Sequence, residues 1–212
     1  MKNTVFQGVA TALVTPMNSD GSVNYDRLCS LIDEQIEAGV AGLVICGTTG
    51  ESATLSIEEH KKVVDVAIKH ANKRIKIIAG TGSNDTAVAA ELSIEAEESG
   101  ADALLMVTPY YNKTTQAGLI AHFSYVASKV SLPIILYNVP SRTGVNIKPE
   151  TYAELAKVDN IVATKEANGD LSSIVKTINL CGDNLDVYSG NDDQIVPIMA
   201  LGGKGVISVL SN

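Results

Sequence analysis

The sequence predicts an α/β fold, a (β/α)8 TIM barrel that stops directly after its eighth strand. Three observations predict it. Eight short apolar runs rich in β-branched residues alternate with seven amphipathic helical stretches. The runs lack the two-residue alternation of a half-exposed strand, so both faces are buried, as in a parallel sheet covered by helices. The stretches that follow the runs gather glycines, hydroxyls and amides, and a barrel of this kind carries its chemistry at that end. An open, doubly wound sheet is the alternative architecture.

The first run, GVATALV (8–14), leads through TP (15–16) to a helix over 24–38 with Gly39 at its stop. GLVIC (42–46) ends on GTTGE (47–51), and a helix over 56–72 follows. Ser56 and Glu59 stand there at capping-box spacing. IKIIAG (75–80) ends on GTGSN (80–84) before a helix over 84–99, which Gly100 terminates. DALLMV (102–107) runs into TPYYN (108–112) and a helix over 115–130. PIILYN (133–138) runs into YNVPSRTG (137–144) and a helix over 149–157. IVATK (161–165) ends in KEANGD (165–170), followed by a helix over 170–180. DVYS (186–189) passes through SGNDD (189–193) into a helix over 191–200, and GVISVL (205–210) ends at SN (211–212). No Pro/Ser-rich linker or low-complexity segment divides the 212 residues, so one domain over 1–212 is expected.

Composition excludes several functions. A formal net charge of −8 argues against a nucleic-acid binder, which needs clustered Lys and Arg. Cys29, Cys46 and Cys181 are odd in number and form no CxxC pair, so they read as reduced thiols of a cytoplasmic protein. No signal-peptide pattern is present, and no apolar run approaches the roughly 20 residues of a membrane span. His60, His70 and His122 fall on predicted helices without metal-ligand spacing, and solvated or capping roles are expected for them. Gly80 and Gly82 lack the third glycine of a dinucleotide fingerprint.

Lys165 carries the sharpest chemical signal. Burying an ammonium at the end of an apolar strand is costly, but desolvation lowers its pKa and frees a nucleophilic amine. The plainer reading is an ion pair with Glu166, which is weakened because adjacent strand residues point to opposite faces. Tyr137 and Tyr111 end or follow strands and could relay protons, or could simply be amphipathic rim residues. Thr48 and Thr49 in GTTGE offer hydroxyls and backbone N–H groups suited to a carboxylate. GTGSN could hold an anion at the start of the next helix. Arg142 in PSRTG could meet a carboxylate bidentately, or lie on the surface.

GTTGE, TPYYN, YNVPSRTG, KEANGD and GGKGVISV, in this order, resemble the dihydrodipicolinate synthase family of pyruvate-dependent class I aldolases, from about Val5 to the last residue. The resemblance implies that Lys165 forms an imine with pyruvate and that Tyr137 shuttles protons at that amine. It further implies that Thr48 and Tyr111 are relay partners, Tyr111 reaching into a neighbouring subunit's site. Thr49 would hold the pyruvate carboxylate, the Ile207 backbone would lie beside pyruvate, and Arg142 would receive the carboxylate of L-aspartate semialdehyde. The implied activity is a lyase of lysine and diaminopimelate biosynthesis that needs no cofactor and no metal. A cytoplasmic homo-oligomer, a dimer or tetramer, is implied as well. Other members of the superfamily, such as N-acetylneuraminate lyase, share the lysine and tyrosine, but Arg142 favours a substrate with a second carboxylate.

Two departures from the family set further expectations. The feedback site for lysine lies near Ser52, Ala53, His60, Asn84 and Tyr110, and Ile57 and Val88 replace further polar side chains that line it in lysine-sensitive members. Weak or absent feedback is expected. The family continues beyond the match of Asn212 with an eighth barrel helix and a C-terminal helical segment. A truncated chain is therefore expected, with apolar surface exposed on strands 8 and 1, and an inactive barrel core is the alternative to an enzyme.

Overall fold

The apolar runs become eight parallel strands that close in chain order: β1 (Gly8–Ala12), β2 (Gly42–Ile45), β3 (Lys76–Gly80), β4 (Ala103–Val107), β5 (Ile134–Asn138), β6 (Ile161–Glu166), β7 (Asp186–Ser189) and β8 (Gly205–Ser208). The helices between them are α1 (Tyr25–Glu37), α2 (Ile57–Ala71), α3 (Thr86–Ser99), α4 (Gln116–Ala127), α5 (Pro140–Thr143), α6 (Pro149–Leu155), α7 (Leu171–Cys181) and α8 (Ile195–Ala200). This is a computed structural model, and it describes residues 2–212.

Local chemistry sets the helix limits. The Ser56 hydroxyl accepts from the Glu59 N–H while the Glu59 carboxylate accepts from the Ser56 N–H, a complete capping box at the start of α2. Gly100 ends α3 in the left-handed region, at φ 96°. Several expected limits shift by one to three residues, and two differences are larger. The helix expected over 191–200 begins only at Ile195, because Pro197 lacks an N–H and fits only the first helical turn. PSRT, read as loop, forms the single turn α5, with Pro140 at its start and Gly144 at φ 69° closing it.

The apolar residues divide into two layers. Ala10, Val44, Ile78, Leu105, Ile135 and Ile207 fill the barrel interior. A larger cluster, including Leu43, Leu104, Ile134, Leu136 and Tyr152, packs between the strands and the helices. Phe6 stacks on Tyr188 at a centroid distance of 4.2 Å, and the Tyr188 hydroxyl donates to the Phe6 carbonyl at 2.8 Å.

Alternation decides which side chains face inward, and β6 breaks it once. Ile134 pairs with Ile161, but Ile135 pairs with Ala163, which leaves Val162 unmatched. Val162 and Ala163 consequently both belong to the inner cluster. Beyond that point Tyr137 stands beside Lys165 and Asn138 beside Glu166.

His60 and His122 are buried, contrary to the solvated or capping roles expected of them. His60 Nε2 lies 2.8 Å from the Gly80 carbonyl, and His122 Nδ1 lies 2.8 Å from Thr86 Oγ1. Desolvation lowers the pKa of both. His70 is partly buried, 2.9 Å from Asp33 Oδ2. The three cysteines are free thiols. Exposed apolar side chains are expected on strands 8 and 1; Val9 of β1 is one, while Val14, Val209 and Leu210 are exposed just past the strand ends, the last two at the large cavity. No helix among the described residues is long and apolar enough to cross a membrane.

The β8–β1 seam gives the first prediction. Gly8 pairs with Gly205, and a Cβ on Gly205 would run into the Gly8 carbonyl oxygen. Gly205→Ala is expected to lower the urea midpoint by an amount equivalent to about 2–3 kcal/mol, the upper part of the range for forced overpacking, without changing the m-value.

Candidate active site

The side chain of Lys165 enters the barrel one residue before β6 ends, and the residue is only 4% exposed. Its Nζ sits 4.3 Å from the centroid of the Tyr137 ring, so the ring face rather than the phenol oxygen meets the amine. Among the described residues no hydrogen bond and no ion pair reaches Nζ. Burial pulls the Lys165 pKa down to about 8, with the Asp192 carboxylate opposing the fall and the Arg142 guanidinium adding to it. Burial raises the Tyr137 phenol, and the Arg142 charge draws it partly back.

The expected ion pair between Lys165 and Glu166 does not form. Glu166 points to the outer layer, where it accepts from Asn138, Tyr152 and the Asn168 N–H. Desolvation pushes this carboxyl up to about 7 against those hydrogen bonds.

Above Lys165 lies a cavity of about 670 Å³ built from the ends of several strands. Thr48 and Thr49 reach it from the turn after β2, Tyr137 and Arg142 from β5 and α5, and Asp192 and Asp193 from the turn after β7. Five of the seven site residues expected from the sequence thus line one space: Lys165, Tyr137, Thr48, Thr49 and Arg142. Ile207 lies beneath them in the inner cluster with Tyr137, fully buried. Tyr111 does not line this cavity; it is 90% exposed and sits at φ 67°.

Thr48 and Arg142 also line a second cavity of about 200 Å³, with Ser52, Ala53, Gly82 and Tyr110 on its far side. The anion site suggested by GTGSN is already filled from within. The Asp85 carboxylate caps α3 by accepting from the N–H groups of Ala87 and Val88.

Two residues of the site escaped the sequence reading. Asp192 accepts from Ser208 Oγ and from the N–H groups of Val209 and Leu210, which ties the turn after β7 to the end of β8. Gly190 leaves room beside the lysine, since a Cβ there would lie 3.2 Å from Lys165 Cε and 2.9 Å from Ala167 Cβ. Their only signal was the polar strand end SGNDD, which does not say which carboxylate turns inward.

The profile of the dihydrodipicolinate synthetase family matches residues 5–212. A 4-hydroxy-tetrahydrodipicolinate synthase of Acetivibrio thermocellus is 53% identical over 212 residues, 100% of this chain and 72% of that protein. A 4-hydroxy-tetrahydrodipicolinate synthase 1 of Clostridium acetobutylicum is 54% identical over 208 residues, 98% of this chain and 71% of that one. The crystal structure of dihydrodipicolinate synthase from Aquifex aeolicus superposes with a TM-score of 0.95 at 49% identity, covering 97% of this chain and 70% of the other. The chloride-inhibited enzyme from Acinetobacter baumannii, complexed with pyruvate, also reaches 0.95, at 48% identity over 98% of this chain and 71% of the other.

The lowered lysine pKa is also a statement about stability. Between pH 8 and the ordinary value of 10.5 the unfolded chain binds a proton that the folded one has released, so stability rises with pH across that window. At pH 7 the buried ammonium carries its full penalty. Lys165→Met is therefore expected to raise unfolding stability at pH 7 by about 2–3 kcal/mol and to remove the rise between pH 8 and 10.5, as read from urea titrations at several pH values.

Proposed function

The chain belongs to the dihydrodipicolinate synthetase family, and we propose that it condenses pyruvate with L-aspartate 4-semialdehyde as a 4-hydroxy-tetrahydrodipicolinate synthase, with Lys165 as the imine-forming residue. The observation that carries the role of Lys165 is its buried amine, lowered to about 8, facing Tyr137 in the floor of the large cavity.

At neutral pH an amine with this pKa is neutral about a tenth of the time, against well under a thousandth for an ordinary lysine. The neutral amine attacks the C2 carbonyl of pyruvate, and the carbinolamine loses water to leave a protonated imine. Tyr137 carries the protons in and out, and its raised pKa keeps the phenol protonated as a donor at the start. The positive imine acidifies the pyruvate methyl group. Loss of one methyl proton gives an enamine, which forms the new C–C bond at the aldehyde carbon, and the resulting alkoxide takes up a proton. The amine of the second substrate then attacks the imine carbon, the bond to Lys165 breaks, and the six-membered ring closes.

Three further residues serve binding, and two serve the proton relay. Thr49 receives the pyruvate carboxylate, Arg142 receives that of the semialdehyde, and the Ile207 backbone flanks pyruvate. Thr48 relays protons to Tyr137. Tyr111, exposed and outside its own cavity, completes the relay of a neighbouring subunit in a cytoplasmic homo-oligomer. The proposal treats 1–212 as one catalytic barrel domain.

Borohydride reduction in the presence of pyruvate tests the central step. A pyruvate-derived mass increment is expected on the peptide carrying Lys165, absent from Lys165→Ala, with a trapping rate that rises as pH passes through about 8. Tyr137→Phe should slow turnover by about 10²–10⁴-fold, the usual contribution of a positioned acid–base group. Arg142→Ala should raise the KM for the semialdehyde while slowing trapping only slightly, because the guanidinium is the smaller contribution to the lowered Lys165 pKa. A folded wild-type protein that yields no adduct on Lys165 sinks the proposal, and so does turnover with N-acetylmannosamine in place of the semialdehyde.

A lysine titration checks regulation. The Ile57 side chain is exposed and Val88 is half-buried, and neither can pair with an ammonium. Turnover is expected to be insensitive to millimolar lysine.

A further inference from the structure

Glu166 follows the reactive lysine in the chain and turns the opposite way, into the layer between the barrel and α6, where it is 2% exposed. Both of its oxygens are engaged. Oε1 accepts from Asn138 Nδ2 at 2.9 Å and from the Asn168 N–H at 3.1 Å, while Oε2 accepts from the Tyr152 hydroxyl at 2.9 Å. Asn138 is itself fixed at its other groups. Its Oδ1 accepts from the Ile147 N–H at 3.1 Å and its carbonyl from the Ala167 N–H at 2.9 Å.

The place of this bond in the ladder gives it a consequence for the chemistry. Asn138 and Glu166 are register partners one step beyond Tyr137 and Lys165. The ladder below them is irregular at Val162, so the earlier pairs do not by themselves dictate the later ones. Unbroken pairing onward from Ile134 and Ile161 would set Tyr137 against Thr164 and Asn138 against Lys165. A slip of one residue turns every side chain to the other face, which would send the lysine out of the barrel.

We propose that Glu166 is the positioning residue of the imine site: its hydrogen bond from Asn138 ties β6 to β5 in the register that brings Lys165 beside Tyr137, and the bond from the Asn168 N–H holds the carboxylate in place to accept it. Glu166 touches neither the cavity nor a substrate and acts through Asn138 and the backbone.

The lock works in either protonation state. When Glu166 is ionised, Tyr152 donates to it and Thr164 donates to Tyr152 at 3.0 Å. When it is neutral, its O–H donates to Tyr152, which turns its own proton to Thr164. The Asn138 and Asn168 donors keep their acceptor in both cases. A glutamine fits the same pattern, with its amide oxygen toward Asn138 and its amide nitrogen donating to Tyr152.

This inference rests on Lys165 as the imine residue, so its experiment carries two readouts. One is the borohydride trapping rate at saturating pyruvate; the other is the NMR titration of the Lys165 side-chain amine, which needs no activity. In folded Glu166→Ala, trapping should fall at least about tenfold, and the amine midpoint should rise from about 8 toward 10.5. Glu166→Gln should stay within about threefold of wild type in rate and keep the midpoint. Tyr152→Phe, which spares both bonds to Oε1, should lower Tm by several degrees and leave both readouts unmoved. Should Glu166→Ala fail to fold, Asn138→Ser removes the same bond from the other side and must reproduce its effects.

Wild-type rate and midpoint in folded Glu166→Ala or Asn138→Ser overturn the inference. Equal losses in Tyr152→Phe overturn it too, because stability would then account for everything. A wild-type protein that traps no pyruvate sinks the imine reading instead, and the titration still decides the positioning role.

Discussion

A largely buried lysine amine that no hydrogen bond reaches among the described residues is the constraint around which the mouth of this barrel is arranged. Desolvation and the neighbouring charges together destabilise the ammonium by about 3 kcal/mol at neutral pH, a sizeable part of the 5–15 kcal/mol that keeps a typical domain folded. The neighbours moderate that penalty without cancelling it. Asp192 favours the charged form from the turn after β7, and the face of the Tyr137 ring lies under Nζ. Arg142 works the other way. A direct carboxylate partner would have raised the pKa back toward its ordinary value and kept the amine charged. The carboxylate next in sequence is kept on the far side of the strand.

Lys165 and Glu166 show two solutions to burying an ionisable group. Glu166 receives three donors, from β5, α6 and the turn after β6, that engage both of its oxygens, so its burial is compatible with a rigid wall. Lys165 is given a ring face, a bare Gly190 backbone beside its stem and an open cavity above its head. The first arrangement adds rigidity and the second leaves reactivity. Because they occupy adjacent residues, the rigidity of one fixes the direction of the other.

Most of the fold was legible because the strands are buried on both faces and the helices are amphipathic and well capped. The GTTGE, PSRTG and KEANGD motifs lie at strand ends, and closing the barrel brings Thr48, Thr49, Arg142 and Lys165 together around one space. What stayed illegible has particular causes. The single turn α5 is too short to show a helical period, although Pro140 and Gly144 bracket it. His60 and His122 were misjudged because their partners, the Gly80 carbonyl and Thr86 hydroxyl, come from other elements. Asp192 was hidden for a similar reason, since its partners Ser208, Val209 and Leu210 lie a full βα unit further on.

The unmatched Val162 is the least legible feature and bears most directly on the sign of charge inside the cavity. Ile161 and Thr164 face the helices, whereas Val162, Ala163 and Lys165 face the interior. With strict alternation from Ile161, the inward set would be Val162, Thr164 and Glu166, and Lys165 would join the helix layer. The same six residues would then point a carboxylate at a cavity already lined by Asp192 and Asp193, with Arg142 left as its one cation. They would also leave an ammonium against Tyr152 and Leu136 with no anion to meet it. One extra residue in β6 exchanges the two groups, and it does so between a lower pair held by apolar packing and an upper pair held by Asn138 and Glu166. A strand-level irregularity thereby decides whether an amine or a carboxylate faces the cavity of this barrel.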